Sequence, residues 1–278
     1  MSADARVAEA LADARRRGVE MLDARLMLGR LLGRTPTQLI ARDDDRLGPA
    51  APLWADWLQR RVAGEPLAYL LGEKEFHGLM LEVTPAVLVP RPETELLVDW
   101  AGELLADVPG DAAVADLGTG SGAIALAIKH AHPGSRVVAT DASADALAVA
   151  ARNARRHAVD VELLEASWWR GLDGRRFAVV VANPPYVAEA DAALQALRHE
   201  PRSALTPGGD GLAALREIVA GAPAHLEDGG WLLLEHGFDQ AAAVAGLLAD
   251  AGFRAIETRR DLAGHPRATG GRIAAGAR

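Results

Sequence analysis

The sequence has no cysteine. Disulfides, thiolate nucleophiles and Cys-ligated zinc are therefore excluded, and a reducing compartment is compatible with the chain. Lysine occurs only at Lys74 and Lys129, and the other positive charges are arginine. The 30 basic residues are outnumbered by 38 acidic ones, for a net charge of −8. Such a chain is a poor generic ligand for phosphate backbones, so no direct nucleic-acid partner is expected. No uncharged run reaches the roughly 18 residues that a membrane span needs, so no membrane partner is expected. The first ten residues carry Asp4, Arg6 and Glu9 with no apolar run behind them, unlike an export signal, and the expected location is cytoplasmic. No Walker A motif and no Ser/His/Asp triad spacing is evident. His130 and His132 lie two apart in a helical segment and cannot share a face, so no metal pair is expected.

What remains is ordinary for a globular protein: 278 residues, half of them apolar and 24% charged. That length corresponds to about two domains. Residues 3–63 carry helical spacing. Val7, Leu11 and Ala14 share a face, and Leu53, Trp54, Trp57, Leu58 and Val62 make a second stripe. Arg15, Arg16 and Arg17 read as a solvated helix end. Between 73 and 83 the period changes, and Phe76, Leu79, Leu81 and Val83 flank the turn pair His77-Gly78. From residue 93 onward, strands and helices alternate. Strands are expected at 114–117, 136–140, 161–164, 177–182, 231–235, 254–259 and 272–275. Helices are expected at 122–130, 144–157, 211–222 and 240–251. Repeated strand–helix units imply an α/β domain whose parallel sheet is covered on both faces.

Two motifs carry chemistry. Asp116-Leu117-Gly118-Thr119-Gly120-Ser121-Gly122 closes the first of these strands and opens a helix. Glycines allow a sharp turn and close approach to a ligand, and the helix start supplies unpaired amides. Asp141 ends the next strand, where a carboxylate can accept hydrogen bonds from ribose hydroxyls. A dinucleotide fold would look similar, but the spacing is G-x-G-x-G, and Asp116 would repel a pyrophosphate. A nucleoside bearing an ammonium and a sulfonium, S-adenosyl-L-methionine, fits this charge pattern better. The second motif, Asn183-Pro184-Pro185-Tyr186, follows the strand at 177–182. Asn183 offers a carbonyl acceptor. Pro184 and Pro185 present carbonyls without competing N–H donors, and Tyr186 offers a flat ring. Two acceptors can hold an –NH2 group by both hydrogens. The matching acceptor is a planar, neutral nitrogen, either a carboxamide or the exocyclic amine of a base. Orientation rather than a strong base would supply most of the rate.

Together these motifs resemble the class I, S-adenosylmethionine-dependent amino-methyltransferases. Leu88-Val89-Pro90-Arg91-Pro92-Glu93-Thr94-Glu95 and Gly64-Glu65-Pro66-Leu67-Ala68-Tyr69-Leu70-Leu71-Gly72 narrow this. Both are similar to the HemK/PrmC family, which methylates the N5 of the glutamine in the Gly-Gly-Gln motif of peptide-chain release factors. Glu200-Pro201-Arg202-Ser203-Ala204-Leu205 and Gly208-Gly209-Asp210-Gly211-Leu212 are also family-like. The resemblance implies a Rossmann-like methyltransferase domain over 88–278 with a seven-stranded, mostly parallel sheet. A helical substrate-recognition domain over 1–72 and a β-hairpin linker over 73–87 would precede it. It implies that Gly118 to Gly122, with Asp116, surround the methionine part of the cofactor, that Asp141 holds the ribose and that Trp168 packs near the adenine. It implies further that Asn183 and Pro184 bind the glutamine amide, that Pro185 and Tyr186 shape its pocket, and that Arg91 and Glu93 either touch substrate or pair between domains. The product would be S-adenosyl-L-homocysteine, with release factors as partners. Ser167 departs from the pattern, because an acidic residue commonly precedes the tryptophan. Ribosomal-protein glutamine or nucleic-acid amine methylation is the alternative substrate reading, and a cofactor-free binding module is the alternative class.

Overall fold

The apolar spacing at the start of the chain folds into five helices: α1 (Val7–Arg16), α2 (Met21–Leu32), α3 (Pro36–Ala41), α4 (Ala51–Val62) and α5 (Leu67–Leu71). A computed structural model describes residues 2–274 apart from 107 and 109. Local chemistry sets the helix ends. Gly33 closes α2 in the left-handed conformation, with φ +62°. Thr35 and Gln38 cap α3 reciprocally, and Pro36 occupies its first turn. Trp54, Met27, Leu28 and Leu39 are fully buried in the shared core of these helices. Arg15, Arg16 and Arg17 are exposed, and the latter two pair with Asp13.

By its internal contacts the chain divides between Glu73 and Lys74. The division falls inside the hairpin β1 (Glu73–Phe76) and β2 (Leu79–Glu82). His77 and Gly78 form its turn, both with positive φ (+47° and +79°), as a two-residue hairpin of matching twist requires. Phe76, Leu79 and Leu81 are buried in the core of the second unit.

The second unit continues with α6 (Glu95–Leu105), β3 (Ala113–Leu117), α7 (Ala123–Ala131), β4 (Arg136–Asp141), α8 (Ala144–His157), β5 (Glu162–Glu165) and β6 (Phe177–Ala182). Then come α9 (Ala193–Ala196), α10 (Ala213–His225), β7 (Leu226–Glu235), α11 (Ala241–Asp250), β8 (Phe253–Arg260) and β9 (Pro266–Ile273). The seven strands form one sheet in the order β5-β4-β3-β6-β7-β9-β8. Neighbours from β5 to β7 run parallel, and β9 is antiparallel to both β7 and β8. All five residues of β3 are buried, as a central parallel strand covered on both faces requires. In α8 the buried positions Ala146, Val149, Ala150, Asn153 and Ala154 trace one helical stripe. Among the described residues no helix is long and apolar enough to cross a membrane.

Two strand starts lie five or more residues from expectation, while the other expected strands and helices shift by up to three. β7 begins five residues before Trp231, because Gly229 and Gly230 belong to a bulge between β6 and β7 rather than to a turn. β9 begins at Pro266, not residue 272, and Ala275 lies outside the described residues. Its glycine pair lacks the apolar signature of a strand. Gly270 is there for closeness: a Cβ would lie 2.6 Å from Leu233 and 2.8 Å from Trp100.

Candidate active site

Strand register brings the site together. Leu117 of β3 lies opposite Thr140 of β4 and Ala182 of β6, and Ala182 lies opposite Leu234 of β7. The next residues on these four strands are Gly118, Asp141, Asn183 and Glu235. They form a row at the carboxyl end of the sheet, where open α/β folds bind ligands. A cleft of about 490 Å³ opens there, within the usual range for small-molecule sites. Arg91, Thr94, Gly118 to Ser121, Asp141, Ser143, Ser167, Trp168, Asn183 and Pro185 are among its lining residues.

The glycine loop is tightly tied. The amides of Gly118 and Thr119 both donate to the Thr140 carbonyl, at 2.9 and 2.8 Å. Gly120 N donates to Asp141 Oδ2 at 2.8 Å. Gly118 has φ +76°, and a Cβ on it would stand 3.2 Å from the Trp168 ring. Gly122 has φ +84° and lies against Leu126 and Ala150, turned away from the cleft. Asn153 braces the loop from behind. Its Nδ2 donates to the Ser121 carbonyl at 2.9 Å, and its Oδ1 accepts from Glu82 N at 2.7 Å.

Asp116 and Asp141 have different surroundings. Asp116 is fully buried beneath the loop and does not line the cleft, so the expected direct contact with a ligand is corrected. Its Oδ2 accepts from the Thr119 hydroxyl at 2.7 Å and from Ala125 N, in the first turn of α7, at 3.2 Å. Burial pushes its carboxyl up to about 7. It braces the loop, and near neutral pH it is only partly ionised. Asp141 does line the cleft. Its carboxylate accepts from Ser143 N at 2.9 Å as well as from Gly120. Burial raises its pKa, and these backbone donors oppose the rise. The Ala142 amide is a third backbone donor to the carboxylate, so of about four acceptor positions one stays open.

The tetrapeptide is split by the structure. Asn183 and Pro185 line the cleft, whereas Pro184 is buried and Tyr186 turns into the core. The Asn183 Nδ2 donates to the Thr94 hydroxyl at 3.1 Å. Among the described residues nothing donates to Asn183 Oδ1. The Tyr186 hydroxyl donates to Glu235 Oε1 at 3.2 Å, and the Tyr186 carbonyl accepts from Gln240 Nε2 at 2.9 Å. Burial, then the nearby Glu235 charge, pushes the phenol upward. The flat surface expected of Tyr186 in the cleft is therefore corrected: the residue supports the corner from behind.

Arg91 lines the cleft but pairs with Glu200 rather than Glu93. The Glu200 side chain is only 2% exposed, and it also accepts from Val89 N at 3.0 Å. Glu93 is exposed and does not line the cleft, so the expectation that it touches substrate there is corrected. The adjacent tryptophans also diverge. Trp168 lines the cleft with an unusual φ of +49°, a conformation that costs roughly 1–2 kcal/mol in a non-glycine residue. Trp169 stacks on His225 with centroids 4.8 Å apart and donates to the Ile218 carbonyl. His236 is buried, with one ring nitrogen on the Gly237 carbonyl and the other on the Thr269 hydroxyl, so its role is structural.

Thr94 and Glu235 were not singled out from the sequence. Glu235 had a signal: like Asp141, it is an acid that closes an apolar strand. Thr94 had none of its own within the motif at 88–95. Among the described residues no group of three acidic or histidine side chains converges as a metal-ligand set would.

Known proteins resemble this chain over most of its length. Residues 94–213 match the methyltransferase small domain, and residues 5–72 match the PrmC N-terminal domain. The chain is 52% identical to a release factor glutamine methyltransferase of Burkholderia pseudomallei, over 92% of this chain and 93% of that protein. It is 49% identical to one of Bordetella pertussis, over 91% and 95%. A solved structure, the release factor-specific protein-(glutamine-N5) methyltransferase of Alicyclobacillus acidocaldarius, is 33% identical over 70% of this chain and 99% of its own, with a TM-score of 0.44. On these sequence identities over nearly full length, the chain belongs to the release factor glutamine methyltransferase family.

Proposed function

We propose that this protein methylates the side-chain amide nitrogen, N5, of the glutamine in the Gly-Gly-Gln motif of peptide-chain release factors, with S-adenosyl-L-methionine as donor. The row Gly118–Asp141–Asn183 on one cleft carries the reading: it sets a nucleoside site directly beside an amide acceptor. The relatives' substrate supplies the choice of glutamine over a base amine.

The residues fit the cofactor. Glycines with no Cβ on the cleft side leave room for a ligand against the backbone. Asp141 has acceptor capacity for ribose hydroxyls, and the Trp168 ring offers a face for the base. The Asp141 carboxylate in the cleft favours a cationic ligand. When bound, S-adenosyl-L-methionine supplies an electrophilic methyl group on a sulfonium. The chain's own part is to hold and aim the acceptor. Asn183 Oδ1 accepts one hydrogen of the glutamine –NH2, and a backbone carbonyl of the Asn183-Pro184-Pro185 corner is the companion acceptor, both turning the nitrogen lone pair in one direction. Accepting both hydrogens increases electron density on a nitrogen whose lone pair is otherwise delocalised. Alignment of this kind is worth effective molarities of about 10⁵–10⁸ M.

Mass spectrometry of a release factor after incubation with the protein and S-adenosyl-L-methionine tests this. One added methyl on the Gly-Gly-Gln glutamine is the expected result. Methyl incorporation into DNA or RNA but not into the release factor would overturn it.

A further inference from the structure

An asparagine amide has an acceptor end and a donor end, and the two are nearly the same shape. For Asn183 to receive an –NH2 hydrogen, its Oδ1 must face the cleft, and something must keep the amide from turning over. We infer that Thr94 is a positioning residue whose hydroxyl, anchored on Glu235, holds the Nδ2 of Asn183 inward and leaves Oδ1 to the cleft. The inference rests on the proposed role of Asn183 as amide acceptor.

Three observations carry it. First, the Asn183 Nδ2 lies 3.1 Å from Thr94 Oγ1, and Thr94 is only 4% exposed. Second, Thr94 has helical φ and ψ (−69° and −21°) where a single 3-10 turn, Pro92–Thr94, runs into α6, and its side chain makes no cap bond, which leaves the hydroxyl available to Asn183. Third, the hydroxyl's own hydrogen has a destination. Glu235, beside Asn183 in the row and 2% exposed, has the Thr94 hydroxyl next to its carboxylate. Its Oε1 takes the Tyr186 hydroxyl, and its Oε2 has no fully aligned donor among the described residues. The Thr94 hydroxyl approaches this carboxylate without an aligned bond, and the negative charge biases the hydroxyl hydrogen toward Glu235. Burial pushes this carboxyl up to about 7, so it is above that pH, where it is ionised, that it can only accept. With its hydrogen turned to Glu235, the Thr94 oxygen presents lone pairs to Asn183, and only Nδ2–H can meet them.

The sequence supplies a clean probe. It holds two asparagines, Asn153 and Asn183, so selective ¹⁵N labelling gives two side-chain amide signals. At pH 8, the Asn183 pair in the full-length protein is expected to contain one slowly exchanging hydrogen. Thr94→Val should shift that pair and lower its protection about tenfold, while Thr94→Ser keeps it. The Asn153 pair reports the fold and should stay put. Thr94→Ala replaces Thr94→Val if the Asn153 pair moves. With release factor as substrate, Thr94→Val should lower kcat about tenfold with KM and cofactor Kd within about twofold, and Thr94→Ser should restore kcat. An unmoved Asn183 signal in Thr94→Val overturns the inference, as does a moved signal with unchanged kcat. If the wild type methylates no glutamine, the functional proposal fails, while the amide signals still decide the orientation.

Discussion

Glu235 ends β7 inside the protein, and the replacement Glu235→Gln tests how its burial acts on stability. Burial pushes its carboxyl from an ordinary 4.5 up to about 7, with the Thr94 and Tyr186 hydroxyls and Arg267 opposing the rise. The folded state therefore holds this proton more tightly than the unfolded chain does. The associated stability is fully present below about pH 4.5 and is lost as pH rises through about 7. The whole effect is about 3 kcal/mol, of which about 2 kcal/mol falls between pH 5.5 and pH 8. Glutamine has nearly the same shape and does not titrate. Its variant should lack this fall. Asp116 carries a similar rise and titrates in both proteins, so it cancels in the difference. Urea unfolding at pH 5.5 and 8 measures the gap directly. The stability of Glu235→Gln relative to wild type should improve by about 2 kcal/mol between the two pH values. Parallel stability curves for the two proteins would refute the reasoning.

Other replacements separate the parts of the site. Asn183→Ala should remove most turnover, with cofactor affinity by calorimetry within a few fold; equal loss of both would remove it from the acceptor amide. Asp141→Ala should weaken S-adenosyl-L-methionine binding by about 1–3 kcal/mol in the same measurement, since its charge-assisted hydrogen bonds are lost. Gly118→Ala sets a Cβ 3.2 Å from the Trp168 ring at a φ of +76°. It should lower stability by about 1–2 kcal/mol and change the tryptophan fluorescence on cofactor addition. Arg91→Ala leaves the buried Glu200 with only the Val89 amide. The expected thermal unfolding result is a loss of about 1–3 kcal/mol.

The sequence was informative where one signal served both fold and chemistry. An apolar β-branched run followed by Asn183 announced β6 and the acceptor corner together, and the glycine loop between 117 and 123 announced a strand end and a ligand. It was less informative where a residue's role depends on a distant partner. Asp116 and Asp141 are both acids at strand ends, but only three-dimensional burial separates the brace from the cleft residue. Arg91 and Glu93 are near neighbours in sequence, and the partner that matters, Glu200, is 109 residues away. Tyr186 was read by its ring, whereas its hydroxyl, reaching Glu235, governs where it points. The first part of the last strand was missed because Gly270 and Gly271 pack by being small, which hydropathy does not register.

The outer strands of the sheet have a consequence of their own. Strand margins offer unpaired backbone groups to any passing chain. Here β8 displays the exposed Arg254, Glu257 and Arg260, and β5 is bounded by Glu162 and Glu165. An added strand would crowd these charges at either side. The central rows stay apolar enough to build the catalytic end, while the rims discourage the fibre-like stacking that so hydrophobic an interior would otherwise invite.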